Sequence, residues 1–344
     1  MEGWALALRV AHYAVLALSL VLSVWASCHA LAYKRDPRAA TLWIGLVWLL
    51  PLTGAVLYFL FGINRIRRWA ESLRSGIDRF RAPTGPWACT STELIQVLGP
   101  HGAHLARLAG AVEKLAHRPL LGGNAVRILR NGDEAYPAML EAIASARSSI
   151  TLSTYIFDAD RTGLEFAGAL GDATRRGVEV RVLVDATGMR YSWPSIANSL
   201  RREGVPHARF LRLFPVWRLL TMNLRNHRKL LVADGRLGFT GGINIRDGHW
   251  LARAPRHPVQ DLHFQVEGPA VAQLQEVFAD DWEFTTGEAL RGPAWFPDSM
   301  AAGPLLARGL VDGPDEDFER LRWSILAAIS SAERSIRIAT PYFL

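Results

Sequence analysis

Cysteine is almost missing from this 344-residue chain, with Cys28 and Cys89 its only two. Two cysteines supply neither a disulfide framework nor a zinc-ligand cluster, which excludes a small cross-linked secreted scaffold. Lysine is nearly as scarce. Lys34, Lys114 and Lys229 are the only three, so arginine makes up the rest of the 39 basic residues that stand against 32 acidic ones. A lysine inside a motif is therefore informative. No low-complexity or collagen-like stretch occurs, and a chain that is 50% hydrophobic and 21% charged is not disordered. Its length suits about two domains with a sizeable core.

Charge is also absent from two long segments near the N-terminus. Val10 to Tyr33 and Thr41 to Ile63 carry no formal charge, and each exceeds the roughly 20 helical residues needed to cross a bilayer. Pro51 inside the second is tolerated better in lipid than in water. The turn between the runs is read at Lys34 to Arg38. A signal peptide ending near Ala26 to Ala30 would have an unusually long apolar region, and a second run follows it. Two buried core helices are the other bland reading. The pattern is read as a transmembrane helical hairpin, with Trp4, Trp25, Trp43 and Trp48 as interfacial aromatics. Arg65, Arg67, Arg68, Arg74, Arg79 and Arg81 follow the second run and Arg9 precedes the first, so the positive-inside rule puts both flanks in the cytoplasm. The basic turn weakens that vote.

From about residue 120 the pattern becomes α/β. Helices are expected over Asp133 to Arg147, Gly163 to Arg176 and Ala270 to Thr285. Strands are expected over Ile150 to Phe157 and Val178 to Val184, then in a hairpin from Lys229 to Thr240 around Asp234-Gly235, and in a segment ending near Glu267. An internal repeat accompanies them: Ala142–Phe157 (AIASARSSITLSTYIF) and Ala328–Phe343 (AISSAERSIRIATPYF) share eight of sixteen positions at an offset of 186. The second copy would end with its first strand at Leu344, so the chain reads as cut short. The expected organisation is two transmembrane helices over 1–65, a linker and helical segment over 66–118, a first α/β sandwich domain over 119–300, and the start of a second copy over 301–344.

Asn226 to Asp234 contains H-x-K-x4-D, which chance would supply on the order of 0.004 times in a chain of this composition. On a strand, His227 and Lys229 leave the same face and converge on one ligand. Asp234 falls at the turn, and Gly241-Gly242-Ile243-Asn244 follows the return strand with permissive backbone and an amide side chain. These residue types suit phosphoryl transfer without a metal. A neutral imidazole attacks phosphorus, a lysine ammonium stabilises the charge, Asp234 orients the ring or pairs with a cation, and Asn244 donates to a phosphate oxygen.

His227, Lys229 and Asp234 resemble the HKD motif of the phospholipase D superfamily, and GGIN resembles its glycine-rich tail. The likeness is closer to bacterial cardiolipin synthases. RDPRAATLWIGLVWLLPLTGAVLYFLFG resembles their membrane segment; RNGDEAYPAMLEAI, STYIFDADRTG, RRGVEVRVLVDATG and RNHRKLLVADG resemble their first catalytic half; DGPDEDFERLRWSILAAI and ATPYFL resemble the opening of their second. The resemblance implies a phospholipase D-like fold in two similar halves with one HKD motif each. It also implies formation of cardiolipin and glycerol from two phosphatidylglycerol molecules through a phosphatidyl-histidine, with no cofactor or metal. By motif match, His227 is nucleophile or general acid, Lys229, Asn244, Gly241 and Gly242 hold the phosphate, and Asp234 supports the site. Phosphatidylglycerol and anionic membrane are the implied partners, with no nucleic acid, and the implied location is the bacterial cytoplasmic membrane.

No second such motif is possible here, because neither Lys34 nor Lys114 has histidine two residues before it. The chain alone is therefore expected to be inactive, unless two copies pair across a symmetric interface. A phospholipase or nuclease of the same superfamily and a non-catalytic membrane protein are the rival readings. A pI near 9.8 suits nucleic acid, but two membrane runs and no base-stacking module do not. Asp261 and His263 are read equally as facing the site or as a sheet-surface pair, Tyr155 and Asp158 as pocket lining or core. His101 and His104 have no completing metal ligand.

Overall fold

The computed structural model describes residues 2–34, 37–63, 80–99, 102–186, 188, 194–210, 226–311 and 320–340. The chain divides into two compact units, Met1–Trp69 and Ala70–Leu344. Arg65, Arg67, Arg68, Arg74, Arg79, His101 and the last four residues lie outside the described residues.

In the first unit, α1 (Glu2–Tyr33) is one helix. Its stretch Arg9–Tyr33, of mean hydropathy 1.9, is long and apolar enough to cross a membrane. The second apolar run departs from the expected single crossing. Helix α2 (Pro37–Leu49) has 13 residues, roughly 20 Å of helix against a hydrocarbon layer of about 30 Å. Leu50 leaves the helical region (φ −131°, ψ 74°), and Pro51 opens α3 (Pro51–Leu57), which the π-helical turn Tyr58–Gly62 continues. Pro51 is the cause: it has no N–H to give, its ring clashes with the carbonyl four residues back, and it drives Leu50 out of the helical region. Helix α3 then returns along α2. A Cβ on Gly54 would meet the Leu46 carbonyl oxygen at 2.5 Å. The Tyr58 and Trp43 rings lie 5.4 Å apart, where an unbroken helix would hold the residues roughly 22 Å apart. Polar groups are paired inside this apolar unit, Tyr58 Oη with His29 Nδ1 at 2.8 Å and Trp48 Nε1 with Ser27 Oγ at 3.1 Å.

The second unit is built on a mixed eight-stranded sheet in the order β4-β3-β2-β5-β6-β7-β1-β8. The strands are β1 (Leu121–Arg130), β2 (Ser149–Thr154), β3 (Glu179–Asp185), β4 (His207–Phe210), β5 (Leu230–Ala233), β6 (Leu237–Gly241), β7 (Leu262–Glu267) and β8 (Leu305–Ala307). Helices α4 (Ser91–Leu98) and α5 (Ala103–Ala116) precede the sheet, and α6 (Asn131–Ser145), α7 (Arg161–Arg175), α8 (Ile196–Arg202), α9 (Ala270–Thr286) and α10 (Arg320–Ser331) follow in chain order. Strands β2, β3 and β4 are parallel because α7 and α8 carry the chain back between them. From β5 onward the pairing is antiparallel. One face is covered by α6, α7 and α8 over a core including Tyr136, Ile143, Phe166, Leu170 and Leu200. The other is covered by α9 through Val271, Phe278 and Trp282. This is the expected sandwich, and strand β8 extends its sheet to Ala307, past the boundary expected at 300.

Helix α10 lies in the segment expected to begin a second copy, and it packs along α5. Over the described part of the expected second-copy strand, residues 332–340 have no regular structure, and Ile336 and Ile338 are exposed. A strand needs a neighbouring strand for its ladder of backbone hydrogen bonds, and no strand pairing includes residues 332–340 among the described residues.

The β5–β6 hairpin turns at Asp234 and Gly235, both at positive φ (51° and 62°). Asp234 accepts hydrogen bonds from the backbone N–H groups of Arg147, Ser148 and Ser149 and from the Ser148 hydroxyl, at 2.7–3.1 Å. It thus ties the turn to the entry of β2. Burial pushes this carboxyl up, but the hydrogen bonds outweigh it and hold the group below its ordinary value. Because the folded-state value is depressed, its contribution to stability is present above the unfolded value of about 4 and is lost as pH falls through the folded value. Asp234→Ala should cost about 1–3 kcal/mol at neutral pH. Urea unfolding in detergent, followed by tryptophan fluorescence, should show the deficit shrinking towards pH 3.

Candidate functional site

Four elements meet at one end of the sheet: β2 and β6 finish there, and β5 and β7 begin there. Every element that carries a motif residue, except the Asp234 turn, opens onto this end. The hairpin expected from Lys229 starts at Leu230, so His227 and Lys229 lie on an irregular approach, Asn226–Lys229, and not on the strand itself. The alternation of side chains survives all the same. His227 and Lys229 turn to one side, and Asn226 and Arg228 turn to the other, towards Asp281.

Lys229 is buried and His227 exposed. The ammonium of Lys229 donates to the His227 carbonyl oxygen at 2.7 Å and lies 3.2 Å from His227 Nδ1. An ammonium only donates, so in this arrangement Nδ1 accepts and the ring proton sits on Nε2. The Tyr155 ring is 4.5 Å from the His227 ring, and Lys229 Nζ is 5.4 Å from the centre of Tyr155. Tyr155 therefore lines the pocket. Burial, then the neighbouring Lys229 charge, lower His227 below its ordinary value. Burial lowers Lys229 to about 8, against the opposing pull of Asp261. Near neutral pH the pair is thus a neutral imidazole beside a cation that is easily discharged.

The glycine-rich tail closes the pocket from β6. A Cβ on Gly241 would meet the Leu262 carbonyl oxygen at 2.6 Å and His263 Nδ1 at 2.7 Å, and one on Gly242 would run into the Asp261 carboxylate. These two glycines let the first residues of β7 reach the site. Asn244 accepts the Ile156 N–H through Oδ1 at 3.0 Å. Its Nδ2 has no hydrogen-bond partner among the described residues. The Tyr136 hydroxyl donates to the carbonyl oxygens of Asn244 (2.6 Å) and Arg246 (2.9 Å), fixing the loop.

Asp261 and His263 face the site rather than the sheet surface, since both reach the glycine tail. His263 is buried with neither ring nitrogen hydrogen-bonded among the described residues. Burial, reinforced by His249 and Lys229, pushes it down to about 4, so its ring is neutral. His249 is buried nearby and is also lowered, mainly by burial. Asp158 pairs with Arg246 at 3.3 Å. His104 lies against Glu333 at 3.7 Å. Among the described residues, no group of three His, Cys, Asp or Glu is arranged to hold a metal ion.

One expectation is corrected by this geometry. Asp234 neither orients the His227 ring nor pairs with a cation. It lies at the exit of β5, roughly 20 Å along the chain from His227, with its carboxylate on the Arg147–Ser149 amides. The pocket instead takes its acidic group from Asp261, which the residue spacing alone left undecided. His249 and Arg246 were not foreseen, because no spacing rule connects them to the motif. An imidazole and an ammonium turned to one side can bind a tetrahedral anion, and the imidazole can attack it.

Comparison with known proteins gives the family of the chain. Residues 139–282 match the family model described as "Cardiolipin synthase, PLD-like domain", and residues 21–62 match "Phospholipase_D-nuclease N-terminal". Cardiolipin synthase 1 of Bacillus anthracis is 32% identical over 90% of this chain and 62% of its own length. Cardiolipin synthase A of Pseudomonas syringae is 30% identical over 96% of this chain and 68% of its own length. The chain thus spans about two thirds or less of these relatives. A solved phospholipase D family member from Salmonella typhimurium is 21% identical, over 47% of this chain and 96% of that one, with a TM-score of 0.37.

Binding of tungstate, a tetrahedral mimic of phosphate, tests the pair. Affinity should begin to fall as pH rises through about 8, where free Lys229 loses its charge. Lys229→Met should weaken binding and flatten that limb. Calorimetry showing wild-type affinity constant from pH 7 to 10 would remove Lys229 from the anion site.

Proposed function

Because this chain belongs to the bacterial cardiolipin synthases of the phospholipase D superfamily, we propose that it is the motif-bearing part of a membrane-bound phosphatidyltransferase that makes cardiolipin and glycerol from two phosphatidylglycerol molecules. The observation that carries this reading is the 3.2 Å approach of the Lys229 ammonium to His227 Nδ1. A lipid phosphate entering the pocket draws the ammonium onto its oxygens and releases the imidazole lone pair, while Asn244 Nδ2 donates to a second oxygen. His227 then attacks phosphorus. The N–P bond forms as the P–O bond to the headgroup glycerol breaks, and a general acid protonates the departing oxygen. In the return step, a hydroxyl of the second phosphatidylglycerol attacks the phosphatidyl-histidine, the P–N bond breaks, and the proton goes to the general base. Tyr155 holds the ring from the side, and Gly241 and Gly242 bring β7 and Asp261 close. Asp234 acts only through the hairpin.

The acid–base partner is read as a second histidine in a second, similar half, which α10 begins. The exposed apolar residues Leu321, Trp323, Ile325 and Leu326 of α10 and the greater length of the relatives support that reading. Pairing of two copies across a symmetric interface is the other way to bring two motifs together. The chain alone then turns over little substrate. Phosphatidylglycerol vesicles with labelled headgroups should yield cardiolipin and glycerol from the protein in its native membrane. His227→Ala should lower that rate by roughly a thousandfold or more. Phosphatidic acid as the main product would make the protein a phospholipase, and rapid cardiolipin synthesis by purified monomeric 1–344 would sink the half-site reading.

The fold of the first unit supports a specific topology in the cytoplasmic membrane. With α3 doubling back along α2, the turn after α1 and the exit after Gly62 fall at the same end. Lys34, Arg35, Arg38 and the arginines beyond Ile63 then count together, against Arg9 alone at the other end. The positive-inside rule accordingly puts the catalytic unit in the cytoplasm and the N-terminus outside, so the basic turn strengthens the vote instead of weakening it. In a Cys28→Ala/Cys89→Ala background, Gly3→Cys should react with an impermeant maleimide on intact spheroplasts and Pro37→Cys only after lysis. Protection of both sites until lysis would support two full crossings.

A further inference from the structure

The two residues that flank His227 face away from the pocket, and they are the better anchored. Asn226 uses three groups: its backbone N–H donates to Asp185 Oδ2 at 3.1 Å, its Oδ1 accepts the Arg228 N–H at 3.1 Å, and its Nδ2 donates to Asp281 Oδ2 at 3.0 Å. The Arg228 guanidinium pairs with that same Asp281 oxygen. Asn226, Asp185 and Asp281 are 2%, 1% and 1% exposed. Asp185 ends β3 and Asp281 belongs to α9, so the sheet and the helix layer each hold one side of Asn226.

Residues 226–229 belong to no strand or helix, so no ladder fixes them before Leu230. The Asn226 Oδ1 to Arg228 N–H bond closes an Asx turn around His227, and the two carboxylates anchor that turn. Buried carboxylates are expensive, and apolar packing would serve stability as well or better. What the carboxylates add is direction. We propose that Asn226, gripped between Asp185 and Asp281, is a positioning residue that fixes the His227 ring against Lys229 and Tyr155. The reactivity of His227 thus depends on two carboxylates that never touch substrate. This rests on the reading of His227 as the reacting group.

Two substitutions separate direction from stability. Asn226→Ser keeps an oxygen for the Arg228 amide but offers no donor that reaches Asp281. Asp281→Asn keeps an oxygen for both of its partners and removes the charge. In the full chain, with 13C-labelled histidine rings and His227→Gln for assignment, Asn226→Ser should move the His227 titration up towards the ordinary 6.5. It should also weaken tungstate binding roughly 10- to 100-fold, the cost of a misplaced group, while the unfolding midpoint changes little. Asp281→Asn should act in the same direction to a smaller extent, and it decides the matter if Asn226→Ser does not fold. Variants that lose stability but keep the wild-type titration and tungstate affinity would overturn the proposal. A wild-type chain that binds no tungstate, yet whose His227 titration still moves in the variants, would sink the functional reading and leave the positioning role standing.

Discussion

The side chains on the approach to β5 alternate between two sides of one sheet, and the rest of the second unit depends on that division. His227 and Lys229 take the side where a polar pocket opens; Asn226 and Arg228 take the side where buried carboxylates wait. The exit of the same short strand carries Asp234, whose carboxylate secures the hairpin to β2. One segment is thus held at both ends by acidic groups, with the exposed His227 and the buried Lys229 between them. The anchoring groups give up solvation, which hydrogen bonds and ion pairs return.

The electrostatics of the pocket follow from burial more than from pairing. Desolvation is the largest influence on His227, Lys229, His249 and His263, and in each case it favours the neutral form. A site made this way holds a neutral imidazole at neutral pH and keeps the Lys229 ammonium close to discharge. In the proposed reaction an incoming phosphate would restore that charge through its own negative potential, which would make binding and activation one event. Such a pocket favours a group that already carries charge, as a lipid phosphodiester does.

The first unit shows how one residue changes an architecture that composition alone suggests. Two charge-free runs of similar length read as two similar helices. Only the first is continuous, because Pro51 removes a donor and displaces a carbonyl, and Gly54 then lets the returning helix approach the α2 backbone. Hydropathy averages over such a break; backbone geometry does not.

Much of the second unit was legible in the sequence, since the periodicities of α6, α7, β3 and α9 and the Asp234-Gly235 turn signal are local properties. His227, Lys229 and Asn244 were legible too, through a spacing too improbable to be accidental. The role of Asp234 was not, because spacing records distance along the chain and cannot say that a four-residue strand carries the third motif residue out of the pocket. Nor could the sequence reveal Asp185, Asp281, His249 or the inward turn of Asp261, which come from β3, α9 and the loop before β7. By itself, then, the sequence determined the local elements, the spacing of the motif and the family. The tertiary structure alone decided which charges surround that chemistry, because strand pairing and helix packing bring together groups that no local rule connects.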